Sequence, residues 1–288
     1  MRASRRGLSL ISMPYHAGRP EVGMGLGPKA LLERYGLAEA LGDDVEVEVV
    51  TLSDGGRPEI ARTSSSRRLA ERVSAARAAG RLPLVVAGNC NSCLGTAAGL
   101  GPRRGLGVVW FDAHGDFDTP KDNRSGFLDV MALSTLTGAC WEALRRSIPG
   151  FREIAEQDVI LVGVRDLEPH QHARIEGSRV QALFGDAIRW SSVEDVLEPA
   201  LTDLRARAET VYLHVDLDVL DPSEGRANEY AAPGGLSLAE LERSIRLVGS
   251  RVRVAGAAMT AYDPGCDPTG RVAQATLRVA RAIRDAAG

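Results

Sequence analysis

The stretch Leu106-Gly-Val-Val-Trp-Phe-Asp-Ala-His-Gly-Asp-Phe-Asp-Thr-Pro120 joins an apolar run to a cluster of side chains that bind metals. Residues 106–111 are predicted to form a buried strand, because continuous apolar runs are typical of parallel sheets. Asp112, His114 and Asp116 follow at every second position. Alternate side chains of an extended backbone share a face. We therefore expect two carboxylates and an imidazole to converge.

A second apolar run, residues 211–219, carries His214, Asp216 and Asp218 on one predicted strand face. Buried carboxylates that point together repel each other and lose hydration unless a cation lies among them. Helix capping or pairing with arginine explains one such motif better than two. Carboxylates with an imidazole favour Mn²⁺, Mg²⁺ or Fe²⁺, and these motifs hold enough carboxylates to bridge two ions.

Predicted strands alternate with segments of helical length along the chain. This pattern is typical of an α/β protein with a parallel sheet covered on both faces. No shift in composition indicates a linker, so we predict a single domain over residues 1–288. Ligands of such sheets bind at the carboxyl ends of the strands, where both acidic motifs are predicted to lie.

The composition argues against several classes of protein. The 288 residues carry a net charge of −3, which gives no basic surface for nucleic acid or an anionic membrane. No segment has the roughly 20 apolar residues that span a bilayer. Four cysteines are too few for a disulfide framework. We therefore expect a cytoplasmic enzyme without nucleic-acid or membrane partners.

The motifs Asp112-Ala-His-Gly-Asp116 and Asp216-Leu-Asp218 resemble those of the arginase (ureohydrolase) family, which includes arginase, agmatinase and formimidoylglutamase. A third family signature, Gly-Gly-Asp-His-Ser, aligns without gaps with Ala87-Gly-Asn-Cys-Asn91. The resemblance covers most of the chain in order and spacing. It implies a three-layer α/β/α fold with a central, mostly parallel sheet, and an assembly of three or six identical chains.

The resemblance also implies a centre of two Mn²⁺ ions per chain that hydrolyses guanidino or related amidino C–N bonds of a small-molecule substrate. In the family pattern Asp112 and Asp216 bridge the metals, while His114, Asp116 and Asp218 bind one or the other. Asp116 would in addition orient the nucleophilic hydroxide.

Cys90 stands where the family has its first histidine ligand. Thiolate binds divalent metals but is softer than imidazole, which shifts the preference away from manganese. One ion, or another divalent metal, is therefore an alternative to two Mn²⁺. Cys90 also suits a small buried position, and a shift of one residue would place Asn91 at the ligand position. The ureohydrolase subgroup that acts on N-hydroxyarginine has the same replacement, which makes that compound a candidate substrate.

Two residues are candidates for proton transfer. The histidine that shuttles protons in arginases aligns with Asp129, which would act as acid or base if its pKa were raised. A carboxylate stabilised by a helix N-terminus is the alternative. His16, at the end of the first predicted strand, is the second candidate, and a solvated loop histidine is the alternative there.

The residues expected to bind substrate depart from the family pattern. The acid that grips the guanidinium in arginases aligns with Ala261, so Glu168, Asp118 or Asp263 would have to compensate.

Asn123 and Ser125 match positions that hold the carboxylate of an amino acid, whereas Phe127 replaces a polar residue. Ordinary turn chemistry explains Ser125 equally well. The sequence therefore predicts a metal-dependent hydrolase of a non-peptide C–N bond. Its alternative is a binding protein of the same fold with an impaired metal site.

Overall fold

The protein is built around one eight-stranded sheet in a computed structural model that describes residues 6–51, 58–101, 105–123, 126–190 and 192–288. The strands are β1 (Leu8–Met13), β2 (Val45–Val49), β3 (Leu82–Ala87), β4 (Leu106–Phe111), β5 (Val159–Val162), β6 (Gln181–Leu183), β7 (Thr210–Asp216) and β8 (Arg253–Thr260). Their order across the sheet is β2-β1-β3-β8-β7-β4-β5-β6, and every pair is parallel. The predicted parallel sheet is confirmed.

Helices cover both faces of the sheet within the described residues. They are α1 (Leu37–Leu41), α2 (Pro58–Ala78), α3 (Ser92–Leu100), α4 (Ala132–Leu136), α5 (Glu142–Ser147), α6 (Pro169–Glu176), α7 (Gly185–Trp190), α8 (Val193–Arg205), α9 (Leu238–Arg251) and α10 (Arg271–Ala286). Helical turns also occur at Gly23–Leu26, Gly27–Lys29, Ala30–Arg34, Asp129–Met131, Glu156–Asp158 and Leu217–Val219.

Two separate apolar cores show the three layers. One core joins the sheet to α1, α8, α9 and α10, through residues such as Leu201, Ile245 and Ile283. The other joins the opposite face to α2, α3, α4 and α6, through residues such as Leu69 and Leu94. Because side chains of a strand alternate between the two faces, buried strands must supply apolar residues to both cores. The predicted three-layer α/β/α fold is confirmed.

Two local features of the fold had no clear signal in the sequence. The three-residue strand β6 was not predicted, because so short a segment shows no periodicity. Asp129, whose alternative role was a carboxylate at a helix N-terminus, lies in a 3₁₀ turn at Asp129–Met131 that leads into α4. None of the described helices combines the length and the apolar character needed to cross a membrane.

The order of the strands places the polar segments together. Strands β3, β8, β7 and β4 are consecutive neighbours at the middle of the sheet. Parallel strands end at the same edge, so the residues that follow these four strands lie side by side. This edge contains the candidate site.

Candidate metal centre

Each of the four central strands supplies a polar side chain at its carboxyl end. Asp112 follows β4 directly, and Asp216 is the last residue of β7. Thr260 is the last residue of β8 and is in register with Asp216 on one side and Ala87 of β3 on the other. Cys90 lies in the turn between β3 and α3.

Five of the six predicted ligands form two sets of three donors, with one residue common to both sets. In each set the donor atoms all lie within 4.8 Å of one another. The first set is Cys90, Asp112 and Asp216, and the second is Asp112, His114 and Asp218. Asp112 belongs to both sets, so one carboxylate links two adjacent places for a cation. Asp116, the sixth predicted ligand, is buried but belongs to neither set.

The alternation of side chains along a strand does not explain how the carboxylates come together. Strand β4 ends at Phe111, and Asp116 has a left-handed backbone with φ of 47°. Strand β7 ends at Asp216, and Asp218 lies in the 3₁₀ turn that follows. The turns after the strands, and not a shared strand face, bring these groups together.

Local hydrogen bonds orient the second set. The Nδ1 atom of His114 lies 3.4 Å from Asp112 Oδ1 and 3.4 Å from Asp218 Oδ2. Trp110 Nε1 donates to Asp112 Oδ2 at 2.9 Å, and Asn228 Nδ2 donates to Asp218 Oδ2 at 3.1 Å. Each carboxylate is therefore held by a neutral donor as well as by the imidazole.

The clustered charges produce large pKa shifts. Burial raises the pKa of Asp112, Asp116 and Asp216, and nearby carboxylates add to the effect in each case. Burial opposes the charge of His114, but Asp218 and Asp112 raise its pKa well above the ordinary value. A divalent cation would compensate this concentration of buried negative charge, so the residues present fit a metal centre.

Cys90 is 2% exposed and lies among polar atoms. Its Sγ donates to Asp216 Oδ2 at 2.9 Å and lies 3.2 Å from Thr260 Oγ1 and 3.3 Å from His214 Nε2. Burial, and then the charge of Asp216, raise the pKa of the thiol well above its ordinary value. Without a metal the group is therefore a neutral thiol. The side chain of Asn91, the alternative ligand, instead donates to Asp129.

Asp129 is enclosed by the turn that contains Cys90. Its Oδ1 accepts from Asn91 N at 2.9 Å and from Asn91 Nδ2 at 3.0 Å, and its Oδ2 accepts from Asn89 Nδ2. Burial raises the pKa of Asp129 to about 6, although these hydrogen bonds oppose the shift. Asp129 therefore titrates near neutral pH and also ties down both neighbours of Cys90.

Aromatic rings connect His16 to the metal centre. The His16 and Phe127 ring centroids lie 5.8 Å apart, Phe127 and Tyr230 are stacked at 6.0 Å, and Tyr230 meets His114 edge-on at 6.5 Å. Burial lowers the pKa of His16, while Asp263 and Glu229 partly oppose this effect. A neutral His16 thus stands at one end of a row of rings that reaches His114.

The structure describes two of the three predicted substrate-binding residues, Asn123 and Glu168. Asn123 closes its own loop, because Nδ2 donates to the Phe127 carbonyl at 2.7 Å and Oδ1 accepts from Gly126 N at 3.0 Å. Ser125 lies outside the described residues. Glu168 is exposed at the N-cap of α6.

Of the acids considered as compensation for Ala261, Asp118 is buried and accepts from Gln171 Nε2 at 3.0 Å. Ala261 itself is 3% exposed, with a left-handed φ of 64°. Few residues other than glycine adopt this conformation, and residues held in it are enriched at active sites.

Two residues of the site escaped sequence reasoning. Asn228 Nδ2 bridges Asp218 Oδ2 and the Ala261 carbonyl, at 3.1 and 2.9 Å. Arg165 donates to the carbonyls of Asp218 and Ala232 at 2.8 and 2.9 Å. The position of Arg165 just after β5, at the carboxyl edge of the sheet, was the available signal. Asn228 lies in a loop and offered none.

The chain is similar to known proteins over nearly its whole length. The model of the arginase family matches residues 6–285. An arginase of Bacillus caldovelox is 28% identical over 286 residues, which cover 94% of this chain and 95% of that protein. The structure of arginase from Bacillus subtilis superposes with a TM-score of 0.87 at 26% identity and covers 96% of this chain and 98% of that one.

A more distant structure shows the same fold. Formimidoylglutamase from Bacillus subtilis superposes with a TM-score of 0.76 at 17% identity, over 99% of this chain and 88% of that chain. Together with the family match over nearly the whole sequence, these likenesses identify the fold. The chain belongs to the arginase family, a family of ureohydrolases.

Proposed function

We propose that this protein is a metal-dependent hydrolase that cleaves a non-peptide C–N bond in a small linear amidine, with two Mn²⁺ ions per chain. The observation that carries the proposal is the pair of donor sets that share Asp112. Carboxylate oxygens and an imidazole suit Mn²⁺ in the second set, whereas the sulfur of Cys90 makes the first set softer. If the chain binds only one Mn²⁺ ion, or one Mn²⁺ ion and a different metal, we expect the difference to occur at the first set.

A bound pair of divalent ions would supply Lewis acidity and an activated water. Asp116 is buried beside the two sets, and its carboxylate would accept a hydrogen bond from that water and orient it. The leaving amine would take its proton from Asp129 or His16. In the metal-free protein burial raises the pKa of Asp129 to about 6, toward the range in which a carboxylic acid can donate a proton near neutral pH, and this favours Asp129 as the donor.

Ala261 limits the choice of substrate. The family resemblance places a carboxylate at this position, but here a methyl group occupies it. The flat faces of Phe127 and Tyr230 could contact a planar amidine group instead. An N-hydroxyguanidine such as N-hydroxyarginine, or a formimino compound, is therefore a better candidate than arginine.

The first experiment measures metal content and turnover on the same protein. The reduced chain is loaded with Mn²⁺, desalted and analysed by plasma mass spectrometry. It is then incubated with arginine, N-hydroxyarginine, agmatine and a formimino amino acid, and the expected products urea, hydroxyurea and formamide are measured. Two ions per chain and turnover of one compound would support the proposal. Failure to retain Mn²⁺, Fe²⁺, Co²⁺ or Zn²⁺ would favour the alternative of a binding protein with an impaired metal site.

Asp116→Asn is the matched control. Asparagine tolerates the left-handed backbone at this position, so the fold should remain while the carboxylate is lost. Turnover should disappear, and retained turnover would refute the role of Asp116.

Light scattering on the same samples tests the expected assembly of three or six chains.

A further inference from the structure

We propose that His214 is the positioning residue of Cys90, and that its Nε2–H group is directed at the sulfur so that Cys90 serves as a metal ligand. This inference rests on the proposed metal-dependent function. His214 belongs to neither donor set, and its Nε2 lies 3.3 Å from Cys90 Sγ. We therefore expect it to affect a bound metal through Cys90.

The imidazole of His214 makes polar contacts through both nitrogens. The side chain is fully buried on β7. Its Nε2 lies 3.3 Å from Cys90 Sγ and 3.3 Å from Thr260 Oγ1, and its Nδ1 lies 2.7 Å from the hydroxyl of Tyr212. The ring thus connects a phenol on one side to the thiol on the other.

These contacts select one tautomer. Burial raises the pKa of Tyr212 well above its ordinary value, so the phenol keeps its hydrogen. An unprotonated imidazole nitrogen is a better acceptor than a phenol oxygen, so Tyr212 donates to Nδ1. In a neutral imidazole the remaining hydrogen is then on Nε2, which faces Cys90.

Packing fixes the direction of this N–H group. Trp110 of β4 is paired in register with His214. The two rings are stacked with centroids 3.6 Å apart and planes 13° apart. Rotation of the imidazole out of its plane would break this stack, and a half-turn about the Cβ–Cγ bond would remove Nδ1 from the Tyr212 hydroxyl. The donor is therefore preorganised, as partners of metal ligands commonly are.

The N–H group of His214 would offset the desolvation of a Cys90 thiolate. When a metal binds, the thiol loses its proton to solvent and its hydrogen bond to Asp216. A buried thiolate then needs donors to offset its lost hydration. The Nε2–H of His214 and the hydroxyl of Thr260 are both within reach of Sγ. His214 thus stabilises the sulfur in the form that binds metal.

The test is a titration with Co²⁺, whose bond to a thiolate gives a charge-transfer band in the near ultraviolet. Wild type is compared with His214→Phe, which can still stack on Trp110 but has no N–H group, and with Tyr212→Phe. We expect Co²⁺ to bind His214→Phe about 10–100-fold more weakly. The band should move to longer wavelength, because a thiolate with fewer hydrogen bonds transfers charge more easily. Tyr212→Phe should shift both quantities in the same direction by less.

Two controls isolate the effect. His172→Phe makes the same substitution at a half-exposed histidine that stacks on Phe184, far in the chain from the metal ligands, and it should leave affinity and band unchanged. Cys90→Ser should remove the band. His214→Gln, which retains an N–H donor, is the second variant if His214→Phe does not fold by circular dichroism, and it should lose less affinity.

Several results would overturn the proposal. One is a His214→Phe protein with the affinity and band of wild type. Another is loss of one bound ion with an unchanged band, which would make His214 itself a ligand. Wild type that binds Co²⁺ without a sulfur band would refute ligation by Cys90 and leave the proposed hydrolase intact. Absence of any bound metal would instead refute the proposed function.

Discussion

Replacing Asp129 with asparagine should stabilise the metal-free protein at neutral pH. Burial raises the pKa of this carboxyl group from 3.8 to about 6 in the folded state. At 1.36 kcal/mol per pKa unit, this difference lowers the free energy of unfolding by about 3 kcal/mol once the group is charged. The stabilisation of the protonated form is complete below pH 3.8 and is lost as the pH rises through 6. Asparagine resembles the protonated acid, so it avoids this loss.

The assay is urea unfolding of wild type and Asp129→Asn in EDTA from pH 4 to pH 7, followed by tryptophan fluorescence. Near pH 4 the two proteins should have similar stability. By pH 7 the variant should be more stable by about 3 kcal/mol. If wild type is instead the more stable protein at pH 7, the hydrogen bonds from Asn89 and Asn91 favour the carboxylate more than burial opposes it. The assigned direction of the pKa shift would then be wrong.

Three further predictions test the site and the fold. Asp116→Asn should raise the free energy of unfolding of the metal-free protein at pH 8, measured by urea titration, because burial disfavours the charge of that carboxylate. Gly88→Ala should lower the free energy of unfolding by about 1–3 kcal/mol and reduce metal retention, because its methyl group would collide with the carbonyl of Tyr15 beside the Cys90 turn. Gly177→Ala is the control, because its methyl group would have no contact under 3.2 Å. Ser237→Ala removes the capping box of α9 and should cost about 1 kcal/mol without changing metal content.

The sequence predicted the edge of the sheet where the candidate ligands lie, but it did not predict their local geometry. Apolar runs that end in acidic residues correctly indicated parallel strands and the edge where Asp112 and Asp216 meet. The alternation argument was wrong beyond the strand ends, because Asp116 turns into a left-handed conformation and Asp218 enters a 3₁₀ turn. Such turns depend on hydrogen bonds from distant segments, as Arg165 shows by binding the carbonyl of Asp218.

Contacts between strands could not be predicted from one strand at a time. Thr260 reaches Cys90 only because β8 lies between β3 and β7 in the sheet. His214 meets Trp110 because those residues are in register between β7 and β4. Strand order and register are set by the packing of both cores, so motif spacing within a strand carries no information about them.

The two donor sets differ in their access to solvent, and this difference assigns them different roles. Cys90 and Asp216 are 2% and 4% exposed, so the first set is closed. The side chain of His114 is 27% exposed, and its ring meets Tyr230. Under the proposed function, a substrate would therefore approach from the side of His114, and Cys90 would affect the reaction through the metal and not by contact with substrate. On this reasoning, a change at Cys90 should alter metal affinity and kcat, whereas a change at Tyr230 should alter KM.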